Sequence, residues 1–151
     1  MGKDVTIVAI GNQVSKAMNV CRKLKKININ AEVINARFLK PFDKYPIIRS
    51  ITKTRFVITL EDNTLIGGLG AEVNELIAEK HISNVTIRNF GYPDVFVEHG
   101  TPQELEEKYK MDEKTVFNYI KNEIEYKKRK KDYKKVNKNT NINKQKNIKG
   151  I

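Results

Sequence analysis

The chain has 151 residues and a formal net charge of +11, from 29 Lys and Arg against 18 Asp and Glu. Residues 127–151 hold 11 of the basic residues and one Asp, so residues 1–126 are nearly neutral. A neutral body argues against a nucleic-acid-binding fold, the single cysteine cannot form an internal disulfide, and no run is long and apolar enough to cross a membrane.

The chain alternates short apolar runs with amphipathic stretches. Residues 5–10, 31–35, 55–60 and 85–90 are short and rich in Val and Ile, which predicts strands of a parallel sheet. Stretches with apolar residues at helical spacing separate them. This order predicts an α/β fold, with a largely parallel sheet of four to five strands and helices on both faces. Residues 95–97 would form the fifth strand or an extended segment.

Several residues mark helix starts. Thr101 and Pro102 precede Glu104 in the pattern of a capping box with proline at the first helical position. Asp112 is predicted to cap the last helix, and Asp43 to cap a helix after the second strand. From residue 127 onward Lys and Asn dominate, which predicts a disordered tail. We therefore divide the chain into a folded domain, residues 1–126, and a tail, residues 127–151.

A glycine-rich turn follows the third strand. Glycines at a strand-to-helix turn permit positive φ and close backbone approach, and the helix N-terminus behind them presents free N–H groups. The turn lacks the Lys-Ser/Thr of a P-loop, so tight packing, a subunit contact and a phosphate site all remain open. If the turn forms a subunit contact, a bulky residue at position 68 of the full-length protein should impair dimerisation more than folding of the monomer. The turn and the polar residues before it are Glu61, Asp62, Asn63, Gly67, Gly68 and Gly70.

Other polar residues follow predicted strands, where α/β proteins place functional loops. Arg37 and Lys40 come after the second strand, and Tyr92, Asp94 and His99 come after the fourth. Most such residues are surface features. No nucleophile or metal partner accompanies His99, so we do not predict catalysis by this residue.

Three runs together resemble the C-terminal domain of transketolase-type, thiamine-diphosphate-dependent enzymes. They are residues 36–43 (ARFLKPFD), residues 60–63 (LEDN) with the glycine turn, and residues 74–75 (NE). Residues 89–101 (NFGYPDVFVEHGT), followed by residues 103–105 (QEL), are similar to the 1-deoxy-D-xylulose-5-phosphate synthase family. The resemblance covers about residues 3–125, nearly all of the predicted folded part.

The resemblance implies an assembly domain rather than a catalytic one. Enzymes of this family join pyruvate to glyceraldehyde 3-phosphate with loss of carbon dioxide, for isoprenoid and thiamine synthesis. Thiamine diphosphate and Mg²⁺ would lie on upstream domains, and this chain would support a homodimer and be inactive alone. No catalytic, cofactor-binding or metal residue is expected here. The candidate interface or active-site-rim residues are Arg37, Lys40, Glu61, Asp62, Asn63, Gly67, Gly68, Gly70, Tyr92, Asp94 and His99.

Two alternatives stay open. The chain could be a free-standing module that binds an anionic ligand at the glycine-turn helix, or a polyanion-binding protein that acts through its basic tail. Membrane and nucleic acid are not expected partners of the assembly domain. The Lys/Asn bias resembles that of parasites with a relict plastid, which predicts a plastid-type organelle (apicoplast) and otherwise the cytoplasm.

Overall fold

A computed structural model describes the backbone of residues 2–148 and the side chains of residues 2–134. The chain divides into two compact units, Met1–Asn118 and Tyr119–Ile151. The first unit contains the whole sheet. The second unit contains most of one long helix.

The sheet of the first unit has four parallel strands in the order β2-β1-β3-β4. The strands are β1 (Val5–Ala9), β2 (Ala31–Asn35), β3 (Phe56–Thr64) and β4 (Thr86–Tyr92). All five residues of β1 are buried, as are Phe56–Glu61 of β3. Two central, apolar strands flanked by two edge strands are what the sequence pattern predicts for a parallel sheet.

Five helices accompany the strands in the described part of the chain. They are α1 (Gln13–Lys26), α2 (Lys44–Thr54), α3 (Leu69–Glu79), α4 (Pro102–Lys108) and α5 (Glu113–Ile148). The capping box predicted for α4 is confirmed, since the Glu104 N–H donates to Thr101 Oγ1 and the Thr101 N–H donates to Glu104 Oε2. Asp112 caps α5 as predicted, accepting from the Thr115 N–H at 3.0 Å. Asp43 stands at the N-cap of α2, but its side chain makes no capping hydrogen bond.

Helices cover both faces of the sheet, as predicted. Val8 and Val57 belong to one core cluster with buried residues of α2 and α3, among them Ile51 and Val73. Thr6, on the same side of β1 as Val8, lies 2.7 Å from the Ser50 hydroxyl of α2. Because side chains alternate along a strand, the intervening residues of β1 face the opposite side, where α1 packs against β1, β2 and β3.

Two strands run further than predicted. β3 extends to Thr64 and β4 to Tyr92, so Glu61, Asp62 and Asn63 are strand residues rather than a loop. The extension is possible because β3 and β4 support each other, with a register shift between Leu60 and Thr64. Residues 95–97 are not a strand, and the described part of the sheet has four strands.

The predicted disordered tail also differs from the structure. α5 continues through residues 127–148, and residues 149–151 lie outside the described residues. Lysine is a good helix former and the segment contains neither Pro nor Gly before residue 150. Ion pairs one turn apart, such as Glu123 with Lys127 at 3.8 Å, accompany the helix. The domain boundary at residue 126 stays a prediction.

Candidate functional site

The carboxyl end of the sheet is the first place to look for a site. The chain leaves β1 toward β2 on one side and returns to β3 on the other, which makes the crevice between β1 and β3 a topological switch point. Open α/β sheets bind ligands in such crevices. Here Asn12, just after β1, donates from Nδ2 to Asp62 Oδ2 of β3 at 2.6 Å.

Residues of α4 and the following loop lie against this crevice. Gln13 Nε2 donates to Glu106 Oε1 at 3.2 Å, and Lys16 Nζ lies 2.7 Å from the same carboxylate oxygen. Lys16 also donates to the Met111 carbonyl at 2.8 Å. The polar side chains of Gln13 and Lys16, in the first turn of α1, are therefore paired with other groups of this chain.

The Glu61 carboxylate occupies the N-terminus of α3. Its Oε2 accepts from the Leu69 N–H at 2.8 Å and its Oε1 accepts from the Gly70 N–H at 2.9 Å. Glu61 is only 1% exposed, so it is not a rim residue as the sequence suggested. Burial raises the pKa of this carboxyl, and the two backbone hydrogen bonds offset only part of that effect. The chain itself thus fills the position that an external anion would take.

The three glycines of the turn have different roles. Gly67 adopts the left-handed conformation with φ +67°, which favours glycine, and a Cβ at this position would meet no atom within 4 Å. Gly68 has an ordinary φ of −91°, but a Cβ there would lie 1.9 Å from Glu61 Oε2. A Cβ on Gly70 would lie 2.7 Å from the Asn89 side chain. Of the alternatives predicted for this turn, the structure supports tight packing, and the N–H groups of Leu69 and Gly70 are not free for a phosphate.

A groove of about 400 Å³ lies at the carboxyl ends of β3 and β4. Asp62 accepts a hydrogen bond from the Tyr92 hydroxyl; burial raises the pKa of Tyr92, and the Asp62 charge adds to that effect. The Tyr92 ring meets the Tyr109 ring edge-on at 5.4 Å. Asn63 and Asp94 also line the groove. Asp62, Asn63, Asp94 and His99 are exposed.

Exposed apolar side chains lie beside this groove. Val95, Phe96 and Val97 are 56%, 103% and 39% exposed, and Ile66 in the glycine turn is 64% exposed. The backbone joins the two segments, since the Leu65 N–H donates to the Tyr92 carbonyl at 2.9 Å. Consecutive exposed apolar residues next to polar ones are typical of protein–protein contact surfaces. We call Ile66, Val95, Phe96 and Val97 the apolar rim.

The structure separates Arg37 and Lys40 from the other candidates. They follow β2, an edge strand, whereas the apolar rim lies beside β4 at the opposite edge. Both side chains are exposed. Arg37 takes a left-handed conformation with φ 55°, and its N–H donates to the Asn35 side chain at 2.9 Å. Arg37 also lines a separate groove of about 640 Å³ beside β2 and α2.

Sequence reasoning missed the residues that close the switch point. Asn12 could have been found, because it follows β1 at the turn where a switch point is expected. Glu106 could not, since nothing in a short polar helix indicates which distant side chain it will meet. Within residues 2–134, no three His, Cys, Asp or Glu side chains are grouped to hold a metal ion. No helix of the described residues has the length and apolar content to span a bilayer.

The parallel sheet with helices on both faces defines the class of protein, an α/β domain. At the carboxyl end of this sheet, polar side chains of the chain itself pair with one another across the switch point. The family model described as "Transketolase, C-terminal domain" matches residues 1–116. The chain belongs to this family. The resemblance read from the sequence is thereby confirmed.

Curated relatives give a narrower description. The chain is 44% identical over 108 residues to a 1-deoxy-D-xylulose-5-phosphate synthase of Desulforudis audaxviator, covering 72% of this chain and 17% of the relative. It is 40% identical over 115 residues to the enzyme of the same name from Halothermothrix orenii, covering 76% of this chain and 18% of that relative. The chain therefore spans less than a fifth of the length of these relatives.

Solved structures agree on the fold. A structure described as "Split gene transketolase, inactive beta4 tetramer" matches with a TM-score of 0.72 and 37% identity, over 81% of this chain and 39% of that one. A transketolase mutant from Pichia stipitis matches with a TM-score of 0.56 over 82% of this chain and 16% of that one. At 19% identity, the second likeness bears on the fold alone.

Proposed function

We propose that this chain is the C-terminal, non-catalytic domain of a 1-deoxy-D-xylulose-5-phosphate synthase and supports the assembly of that enzyme. The whole enzyme would join pyruvate and glyceraldehyde 3-phosphate to 1-deoxy-D-xylulose 5-phosphate and carbon dioxide, for isoprenoid precursor and thiamine synthesis. The names and identities of the curated relatives support this proposal. The small share of each relative that the chain covers supports the assignment to one domain.

One observation carries the non-catalytic role. The Glu61 carboxylate occupies the N-terminus of α3, the position in the glycine turn that would otherwise suit a diphosphate. Side chains present in this chain do not fit a bound thiamine diphosphate with Mg²⁺ there, because a buried carboxylate would repel the phosphate groups. We therefore assign both to preceding domains and derive no chemical step through them.

The assembly role depends on the apolar rim. Phe96 is fully exposed, and Val95 and Ile66 are more than half exposed. Burying such side chains against another polypeptide gains about 1.5–3 kcal/mol each. We infer that preceding domains and a second subunit cover this rim, with Asn63, Asp94 and His99 at its polar border. The solved split-gene transketolase is described as a tetramer, which supports self-association in this family.

A matched pair of substitutions in the full-length enzyme tests the assembly role. Phe96→Ser removes the most exposed ring of the apolar rim, whereas Tyr45→Ser removes a ring that is 75% exposed on α2. We expect Phe96→Ser to weaken subunit association at least about tenfold in sedimentation velocity, and Tyr45→Ser to leave it unchanged. Equal association constants for the two variants would contradict the proposed interface.

We propose from the Lys/Asn bias that the full-length protein works in a plastid-type organelle. The bacterial relatives give this location no support. The test is the location of the tagged full-length protein in its source cell, and a cytoplasmic signal would contradict the organelle.

A further inference from the structure

Because residues 127–134 are helical, their basic side chains have regular positions around the helix axis. This segment contains six Lys or Arg residues and one Asp, and it lies within α5. Successive residues of an α-helix are rotated by about 100°. Lys127, Lys130, Lys131 and Lys134 therefore share one arc about 100° wide, while Asp132 points about 150° away from its centre. We call these four lysines the lysine stripe.

Contacts within α5 agree with this arrangement. Lys130, Lys131 and Lys134 are exposed. Lys127 is partly buried and pairs with Glu123 at 3.8 Å. Burial lowers the pKa of Lys127, and the like charge of Lys131 one turn away adds to that lowering. Lys130 lies over the Tyr126 ring at 5.9 Å, and Tyr126 and Tyr133 are 54% and 70% exposed at the border of the stripe.

Like charges one turn apart destabilise a helix, so an anionic partner gains affinity by relieving their repulsion. We propose that the lysine stripe binds duplex nucleic acid through its phosphates, without sequence preference. Four lysines along about 10 Å of helix have a mean spacing of about 3.5 Å along its axis, close to the phosphate spacing of one strand of a duplex, and a helix fits the major groove. A membrane surface suits the segment less well, because a helix on a bilayer needs a broad apolar face. The inference concerns residues 127–134 and is independent of the proposed enzymatic role.

The salt dependence of binding tests this proposal. Fluorescence anisotropy would follow the 151-residue chain binding a labelled DNA duplex of about 20 base pairs, between about 50 and 200 mM salt. The triple variant K130Q/K131Q/K134Q should lower affinity at least about tenfold and reduce the salt slope by about 2.7, at roughly 0.9 per lysine. Glutamine and lysine have similar helix propensities, and circular dichroism would check that helix content is kept.

A second triple variant provides the matched control. K3Q/K25Q/K26Q removes the same charge from exposed lysines of the first unit. It should leave the salt slope nearly unchanged. Equal losses in the two variants would mean that net charge alone drives binding, which overturns the stripe. Absence of binding at about 0.15 M salt, or binding to phosphatidylserine vesicles but not to the duplex, would also overturn the proposal.

Discussion

The glycine turn and the apolar rim are neighbours with opposite character. In the turn, the buried Glu61 carboxylate accepts two backbone hydrogen bonds from the start of α3. On the rim, Phe96 and its neighbours expose apolar surface to water. The polar groups of the turn are paired within the chain, whereas the apolar side chains of the rim stay exposed, and the proposed assembly role depends on that exposure. The difference suggests that the turn shapes the fold while the rim contacts the rest of the enzyme.

The largest expected effect is at Gly68. In Gly68→Ala the new Cβ would stand 1.9 Å from Glu61 Oε2 and 2.6 Å from the Thr64 carbonyl, and the carbonyl cannot easily move. We expect a loss of about 3 kcal/mol in the free energy of unfolding, measured by urea denaturation. This expectation replaces a primary effect on dimerisation, because Gly68 is buried.

Gly67→Ala is the matched control in the same turn. Nothing lies within 4 Å of its new Cβ, and only the positive φ is unfavourable. It should cost about 1 kcal/mol. Equal costs at positions 67 and 68 would show that the close contact with Glu61 is not what requires a glycine at position 68.

Glu61→Gln should have the next largest effect. The amide keeps the size of the side chain but has one acceptor oxygen for the Leu69 and Gly70 N–H groups. An unsatisfied buried donor costs about 1–3 kcal/mol, and we expect a loss in that range below pH 4.5, where the wild-type side chain keeps its full contribution to stability. A change in the free energy of unfolding near zero would contradict the capping role of Glu61.

The same variant gives a pH dependence with a defined sign. Burial raises the pKa of Glu61 above its ordinary value of 4.5, so ionisation of this carboxyl costs more free energy in the folded state than in the unfolded chain. The stability from this group is full below pH 4.5 and is lost as the pH rises through the folded-state pKa. The difference in unfolding free energy between wild type and Glu61→Gln should therefore shrink as the pH rises from acid to neutral. A difference that grows would contradict the raised pKa.

The smallest expected effect on folding is at the apolar rim. Phe96 is fully exposed, so Phe96→Ser should change the free energy of unfolding of the isolated chain by less than about 0.5 kcal/mol. Urea denaturation of this chain is the measurement. A loss of several kcal/mol would mean that Phe96 supports the fold, and the contrast between the two regions would fail.

Much of the fold followed from the sequence because its signals are local. Apolar runs gave the four strands in order, and Thr101 with Glu104 marked the start of α4. The burial of Glu61 could not be predicted, since an acid after an apolar run is typical of a polar loop. Its partners, Leu69 and Gly70, come together with it only once β3 extends and the glycine turn folds back.

The length of α5 was missed for another reason. Low hydrophobicity and high charge indicate that a segment cannot bury a core, but they do not prevent an isolated helix of good helix formers. Composition therefore predicted disorder where the backbone is helical. In the helix the lysines of residues 127–134 share a common face, which composition alone does not predict.

The most direct test of the central claim is a titration of the isolated chain with thiamine diphosphate and Mg²⁺, followed by calorimetry and by the amide NMR signals of Leu69 and Gly70. We predict no heat of binding and unchanged amide signals, because Glu61 already occupies these two donors. Saturable micromolar binding that shifts both signals would show that the glycine turn holds the coenzyme, and would contradict the assignment of this chain as a non-catalytic assembly domain.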